Sequence, residues 1–145
     1  MDEKNVVVYD ENEKMIAELS NKREVQYCSI KPQTEEDEIL LFNAMNNPKY
    51  RLKDFINKTI EVKDVFCEMV NCVNKETGEV NAAPRIVLID PKGVGYQCVS
   101  LGIFSAIKKI FSIKGDPSTW KKPIKIEVQQ ITKGVNSMLT INMIK

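Results

Sequence analysis

Alternating apolar and polar residues predict a series of β-strands in the second part of the chain. The longest run covers residues 59–73, where Ile60 and Val62 fall in one phase and Val65 falls in the other. A change of phase inside one run predicts a bulge, placed near Asp64, that lets the strand curl. Residues that favour turns separate four further predicted strands, which cover residues 85–90, 95–99, 124–132 and 137–144.

Two segments have the period of an amphipathic helix. Residues 34–47 begin with Thr34, which can cap a helix, and end before a proline. For residues 101–114, Ser100 is the expected cap and Gly115 the expected end. Apolar residues at helical spacing predict the buried sides, which are Ile39, Leu40, Phe42 and Met45 in the first helix and Ile103, Phe104, Ile107, Ile110 and Phe111 in the second.

Residues 1–33 have the pattern of an extended arm. Two β-prone pieces, residues 6–9 and 25–30, occur without a hairpin turn that would pair them with a neighbour in sequence. Because isolated strands are marginal in water, the arm is expected to dock on another structure. We expect it to dock on a neighbouring subunit and so to mediate self-association. Docking on its own domain is the alternative.

The order of the predicted elements from residue 59 onwards indicates a fold class. Three strands, a helix and two more strands are the element order of the OB-fold, a mainly β, five-stranded barrel. A long first strand that bends to join both halves of the barrel agrees with this order. We therefore predict an OB-fold domain over residues 34–145, which includes the preceding helix 34–47. An open α+β sheet with one helix packed on a face is the alternative.

Composition argues against catalysis. The 145 residues include no histidine, which removes the commonest general base and most catalytic zinc sites. Cys28, Cys67, Cys72 and Cys98 lack the spacing of a zinc site and are expected to be reduced core residues, without a bound metal. No glycine-rich phosphate loop occurs, so we expect no enzyme activity, no cofactor and no small-molecule substrate. Because the sequence shows neither a signal-peptide pattern nor a membrane-spanning apolar run, we expect a cytoplasmic protein without a membrane partner.

Charge is distributed unevenly along the chain. Residues 1–47 carry 5 basic and 11 acidic side chains, whereas residues 48–145 carry 16 basic and 9 acidic ones. The chain therefore combines an acidic N-terminal part with a basic body, and a basic body favours a polyanionic partner.

Aromatic and basic residues in the predicted strands and turns suit an unpaired nucleic-acid strand, which is bound by cations along its phosphates and by rings that stack on its bases. The candidate rings are Phe66, Tyr96 and Trp120, and the candidate cations are Arg85, Lys121, Lys122, Lys75, Lys92 and Lys133. Each has a structural alternative. The rings can belong to the core or plug the barrel, Arg85 can form a surface ion pair, and turn lysines are commonly solvated.

Several of these residues also carry a family resemblance, which extends from about residue 41 to residue 144. The matching positions are the run Arg85–Asp90, followed by Gly93, Tyr96, Val99, Ser100, Gly102, Gly115, Asp116, Pro117, Trp120 and Pro123. In order and spacing they resemble a block in OB-fold single-stranded DNA-binding proteins of phages and Gram-positive conjugative plasmids.

The resemblance implies a protein that coats single-stranded DNA during plasmid transfer or phage replication, with little sequence preference and without catalysis. Two other functions remain open for a domain of this predicted fold. One is a protein-interaction adaptor that binds no nucleic acid, and the other is an RNA-binding module.

Overall fold

A computed structural model describes residues 26–145, which form two β-sheets and two α-helices. The larger sheet has the strand order β1-β4-β5-β6-β2, and the smaller one has the order β3-β7-β8. The elements are β1 (Gln26–Cys28), α1 (Glu35–Asn46), β2 (Tyr50–Arg51), β3 (Thr59–Val62), β4 (Asp64–Val73), β5 (Val80–Ile89), β6 (Gly95–Val99), α2 (Leu101–Lys114), β7 (Ile124–Lys133) and β8 (Asn136–Ile144).

The predicted phase change in the first long strand is confirmed, and it divides the strand between the two sheets. β3 ends at Val62, β4 begins at Asp64, and Lys63 lies between them. The N–H of Lys63 donates to the carbonyl of Ile89, which is also the ladder partner of Asp64, so two residues oppose one. As a result Val62 and Val65 both point into the core although they are three residues apart.

The chain is mainly β, as predicted, but its strands do not close into a five-stranded barrel. Antiparallel ladders join β4 to β5, β5 to β6, β3 to β7 and β7 to β8. In the part of the chain that the structure describes, no ladder joins β6 to β8. The other edge of β6 instead pairs in parallel with β2, where Tyr50 is the partner of Tyr96. Strand β2, which precedes the predicted barrel strands, thus occupies the edge of β6 at which the barrel was expected to close.

Helix α2 closes the main core, which lies between the two sheets. Its bounds are those predicted, and the Ser100 hydroxyl accepts a hydrogen bond from the N–H of Ile103 at 3.1 Å. Ile103, Ile107 and Ile110 are its buried residues. They pack with inward residues of both sheets, among them Ile86 and Ile126.

Helix α1 covers the opposite face of the larger sheet. It spans almost the predicted range, and the Thr34 hydroxyl caps it by accepting from the N–H of Asp37. Its inner side matches the prediction only in part, because Ala44 is buried against the sheet and Met45 packs beside it, whereas Ile39 and Phe42 are exposed. The prediction had no information on the sheet, which accepts the side of the helix with the smallest residue.

The outward ring predicted at Phe66 is a second correction. Phe66 does lie on the face opposite Val65, as the alternation required. That face is the one that α1 covers, so Phe66 is only 2% exposed and packs with Ala44, Val87 and Ile89. As placed, its ring offers no free surface to a base.

Arg85 is also placed differently from the expected surface cation, since its side chain is 14% exposed. Its guanidinium donates to Glu68 at 2.7 Å, to the side-chain oxygen of Gln97 at 3.0 Å and to the carbonyl of Met45 at 2.9 Å. Met45 lies in the last turn of α1, where carbonyls lack a helical partner. Arg85 therefore fastens the end of α1 to the sheet.

The described end of the N-terminal arm docks on its own chain. β1 pairs antiparallel with β4, and the N–H of Ser29 donates to the carbonyl of Val65. The strand expected over residues 25–30 is thus present in shorter form, and it matches the alternative docking rather than the favoured one. The β-prone piece at residues 6–9 lies outside the described residues.

We expect Arg85→Ala to lower the free energy of unfolding by about 2 kcal/mol, because it removes hydrogen bonds made by a partly buried charge. Arg51→Ala is the matched control, since Arg51 forms an exposed ion pair with Asp54 that is worth less than about 1 kcal/mol. Urea denaturation of both variants measures the difference. Equal losses would contradict the fastening role of Arg85.

The cysteines should differ in reactivity. Burial raises the pKa of Cys67 and of Cys98 to about 12, whereas Cys72 is exposed near the end of β4. Because the thiolate is the reactive form, iodoacetamide at pH 8 should modify Cys72 first and reach Cys67 and Cys98 only after unfolding. Mass spectrometry of timed samples measures the order. Modification of Cys67 as fast as Cys72 would show that the two sheets separate in solution.

Candidate nucleic-acid interface

A cleft of about 570 Å³ opens where the ends of several elements meet. It lies beside the gap between β3 and β4, the end of β1 and the segment before β7. We call it the basic cleft and define it by five of its lining residues, which are Lys31, Lys63, Trp120, Lys121 and Lys122. Three of them, Trp120, Lys121 and Lys122, were predicted from the sequence, and the fold brings them together with two further lysines.

Trp120 is held in place by the turn that follows α2. Its indole N–H donates to the carbonyl of Gly115 at 3.0 Å, and its ring meets Phe111 edge-on at a centroid distance of 6.4 Å. The indole is half-buried and lines the basic cleft at the same time. It therefore combines the structural role considered as an alternative with a position from which its ring can meet a ligand.

Asp116 connects this turn to β1. Its carboxylate accepts hydrogen bonds from the Tyr27 hydroxyl and from the N–H of Ser118. Burial alone would raise the pKa of Asp116, but these hydrogen bonds and the nearby Lys31 hold it below its usual value. Burial and Asp116 in turn raise the pKa of Tyr27 above its ordinary value. The ionised Asp116 and neutral Tyr27 thus fix the wall of the basic cleft across a separation of 89 residues.

Ser29 fixes the opposite wall. It is the one buried polar residue of the described chain, and its hydroxyl donates to Asp64 and accepts from the N–H of Val65, both at 2.9 Å. These bonds place Lys31, two residues later, beside Lys63. Lys63 projects at the bulge, where its side chain is exposed.

The electrostatics of the basic cleft favour an anion. Its described lining contains four lysines and one carboxylate, that of Asp64. All four lysines are exposed, so their ammonium groups can move towards a ligand. Cations gathered against a protein wall raise the local potential more than the same cations scattered over a surface.

A second group of rings lies at the β2–β6 edge, and we call it the tyrosine cluster. Tyr50 and Tyr96 stack at a centroid distance of 5.3 Å, and Phe55 meets each of them edge-on at about 5 Å. The ammonium groups of Lys49 and Lys58 lie over the rings of Tyr50 and Phe55. Tyr96, predicted as a binding residue, is half-buried and packs partly against the core.

The turn over residues 90–94 separates the basic cleft from the tyrosine cluster. Pro91 lines the basic cleft, while the Asp90 carboxylate accepts from the Tyr96 hydroxyl at 3.4 Å and from the N–H of Lys92 at 2.9 Å. Burial and Asp90 raise the pKa of Tyr96, which keeps its hydroxyl protonated. Lys92 lies in this turn, and its side chain is exposed.

Lys75 and Lys133 lie away from the basic cleft. Lys75 lies just beyond β4, and Lys133 is the last residue of β7. Both strands have 10 residues, and the other end of each borders the cleft. A strand of this length spans about 30 Å, so both lysines stand at the far tips of their hairpins. They are exposed, and the structure does not join them to the other predicted cations.

Four residues of these two groups were not predicted from the sequence, namely Lys31 and Lys63 of the basic cleft and Tyr50 and Phe55 of the tyrosine cluster. A signal for the cluster exists, because residues 49–58 combine four basic residues with two aromatic rings. Interleaved cations and rings are typical of single-strand binding surfaces. Lys31 and Lys63 have no such local signal, since only the pairing of β1 with β4 places them together.

Residues 26–145 include no helix that is long and apolar enough to cross a membrane. They also contain no group of three or more histidine, cysteine, aspartate or glutamate side chains arranged to hold a metal ion.

Comparison with known proteins identifies the family. A family model described as phage single-stranded DNA-binding protein matches residues 20–143. Searches of curated proteins and of solved structures gave no match. The matched range covers most of the chain and includes every residue of the basic cleft and of the tyrosine cluster. The chain therefore belongs to the Phi29-type family of phage single-stranded DNA-binding proteins.

Proposed function

We propose that this chain coats single-stranded DNA and that the basic cleft is its main contact. The observation that carries the proposal is the convergence of four exposed lysines and the ring of Trp120 in that cleft. Cations there follow the phosphates, and the indole stacks with a base, an interaction worth about 1–3 kcal/mol. Neither contact reads base edges, so binding has little sequence preference.

The strand continues from the basic cleft past Lys92 to the tyrosine cluster. This path is supported by the turn over residues 90–94, which borders both groups. Lys75 and Lys133 supply further phosphate contacts from the hairpin tips. OB-folds bind oligonucleotides with the two corresponding hairpin loops, and the strand order here supports an OB-like frame that is open between β6 and β8.

The proposed role is protection of unpaired strands in phage replication or plasmid transfer, in the cytoplasm, without catalysis or a cofactor. Family membership supports DNA as the ligand. The arm over residues 1–33 stays a predicted route to self-association through residues that precede β1.

Trp120 allows a direct test because it is the only tryptophan in the chain. We expect titration with an unlabelled oligothymidylate to quench the intrinsic tryptophan fluorescence, because a base that stacks on the indole quenches it. The quenching should follow the same binding curve as the anisotropy of a labelled oligonucleotide.

Trp120→Phe is the control, since it keeps a ring and removes the fluorescence signal. It should bind within a few-fold of the wild type. If anisotropy reports binding while the tryptophan emission of the wild type stays constant, Trp120 lies outside the interface.

The lysines of the basic cleft should determine the salt dependence of binding. Each phosphate neutralised on a single strand contributes about −0.7 to the slope of log K against log salt. We expect Lys121→Ala/Lys122→Ala to reduce the magnitude of this slope by about 1.4. Fluorescence anisotropy at several salt concentrations measures it on an oligonucleotide that holds one protein.

Lys108→Ala/Lys109→Ala is the matched control, because it removes the adjacent, exposed lysine pair of helix α2, outside the basic cleft. Its slope should equal that of the wild type. Equal slopes for both double variants would exclude the basic cleft as the main contact.

The same titration separates the remaining functions. A strand-coating protein binds single-stranded DNA far more tightly than duplex DNA. An RNA-binding module prefers RNA of the same sequence, and an adaptor shows no salt-sensitive binding to any of the three.

A further inference from the structure

Helix α1 exposes an apolar strip on the side that faces away from the sheet. Ile39 and Phe42 are 53% and 57% exposed, and their spacing of three residues places them side by side. Glu35 and Glu38 precede them by four residues each and are also exposed. We call these four residues the α1 strip, in which each apolar side chain has an acidic neighbour.

A groove of about 380 Å³ lies on a different part of the molecule, between α2 and the β7–β8 hairpin. We call it the α2–β8 groove. Its lining includes Ile113, which is 81% exposed, together with the half-exposed Met138 and Met143. Among the described residues that line it, Lys109 is the one with a charge.

Gly102 lines this groove and allows α2 to approach β8 closely. A Cβ atom at Gly102 would collide with the backbone oxygen of Leu139 and with the end of Met138. Helix α2 therefore packs directly against the backbone of β8, which leaves the methionine side chains to form the sides of the groove. Methionine adapts readily to the shape of a partner surface.

We propose that the α1 strip of one subunit docks in the α2–β8 groove of a second copy of this chain. The two surfaces complement each other in charge, because the strip contains Glu35 and Glu38 whereas Lys109 lines the groove. They also complement each other in shape, since the convex surface of a helix meets a groove that is lined by flexible apolar side chains. Every subunit carries both halves of the contact.

The contact is heterologous, because the α1 strip and the α2–β8 groove use different residues. A subunit that has docked its strip still offers its groove, so contacts of this kind build a linear array. Neither surface contains a residue of the basic cleft or of the tyrosine cluster, so DNA and a neighbouring subunit can bind together. The contact between subunits does not depend on the proposed function. The idea that the array follows DNA does rest on the proposed function.

Sedimentation velocity of the full chain without DNA tests the contact. The sedimentation coefficient of the wild type should rise with concentration. Phe42→Ser and Ile113→Ser should each weaken association about tenfold or more, as truncation of a buried anchor does. Val135→Ser is the control, because Val135 is 99% exposed in the β7–β8 turn and belongs to neither surface.

Charge reversal tests the pairing of the two surfaces. Glu38→Lys places two basic groups in the contact, and Lys109→Glu places two acidic groups there, so each variant alone should associate less than the wild type. An equimolar mixture should recover association, because alternating copies restore an opposite pair at every contact. The loss of association in Lys109→Glu alone distinguishes this contact from one between two α1 helices, which that variant would leave unchanged.

DNA of two lengths extends the test to the array. The affinity of the wild type per subunit should be about tenfold higher on an oligonucleotide that holds several subunits than on one that holds a single subunit. Phe42→Ser and Ile113→Ser should lose this gain while they keep wild-type affinity for the short oligonucleotide. Absence of short-oligonucleotide binding by the wild type would refute the proposed function, and sedimentation would still decide on the contact.

The proposal is overturned if Phe42→Ser and Ile113→Ser sediment like Val135→Ser at all concentrations. It is equally overturned if Phe42→Ser lowers the melting temperature while association is unchanged. The latter result would mean that residues of the same chain cover the α1 strip.

Discussion

Both faces of the β4–β5 ladder are apolar, and the rest of the structure is arranged to keep both from water. Val65, Ile86 and Leu88 lie on one face, whereas Phe66, Val87 and Ile89 lie on the other. Complete burial of one such side chain contributes about 1.5–3 kcal/mol. Three uncovered residues would therefore cost an amount comparable to the whole stability of a small domain, about 5–15 kcal/mol. One face needs the second sheet with α2, and the other needs α1.

This double burial limits which surfaces of the sheets stay free for a ligand. In OB-folds the outer face of the second and third strands commonly receives the oligonucleotide. Here α1 covers much of the corresponding face, and Arg85 fastens it there. Free cations and accessible rings remain at the ends and edges of the sheets, in the basic cleft and in the tyrosine cluster. The candidate interface is thus displaced by the same packing that stabilises the fold.

Local signals explain what could be predicted. Helix α2 and strand β6 have the predicted bounds, because capping residues and glycines next to them define where each begins and ends. Phe66 and Arg85 were predicted to be exposed, and this was wrong, although the alternation of side chains in their strands was predicted correctly. Their exposure depends on α1, which lies about 20 to 40 residues earlier in the chain and docks through Ala44, Leu41 and Met45 rather than through Ile39 and Phe42.

The same distinction applies to the candidate site. Trp120, Lys121 and Lys122 are consecutive, so a short stretch of sequence already placed them together. Lys31 and Lys63 reach them only through the β1–β4 pairing and the hydrogen bonds of Ser29. The open edge of the frame has a similar origin. The two residues of β2, which precede the predicted barrel strands, pair with the edge of β6 that the last strand was expected to occupy.

The gap at Lys63 shows how little sequence is needed to specify curvature. Val62 and Val65 are separated by an odd number of positions, so a regular strand would turn one of them to solvent. A chain shortened by one residue at this point would keep both valines in register on a straight ribbon, which could no longer serve two sheets. The odd number of positions between Val62 and Val65, rather than the chemical identity of any side chain, thus makes the strand bend so that β3 and β4 can belong to two sheets.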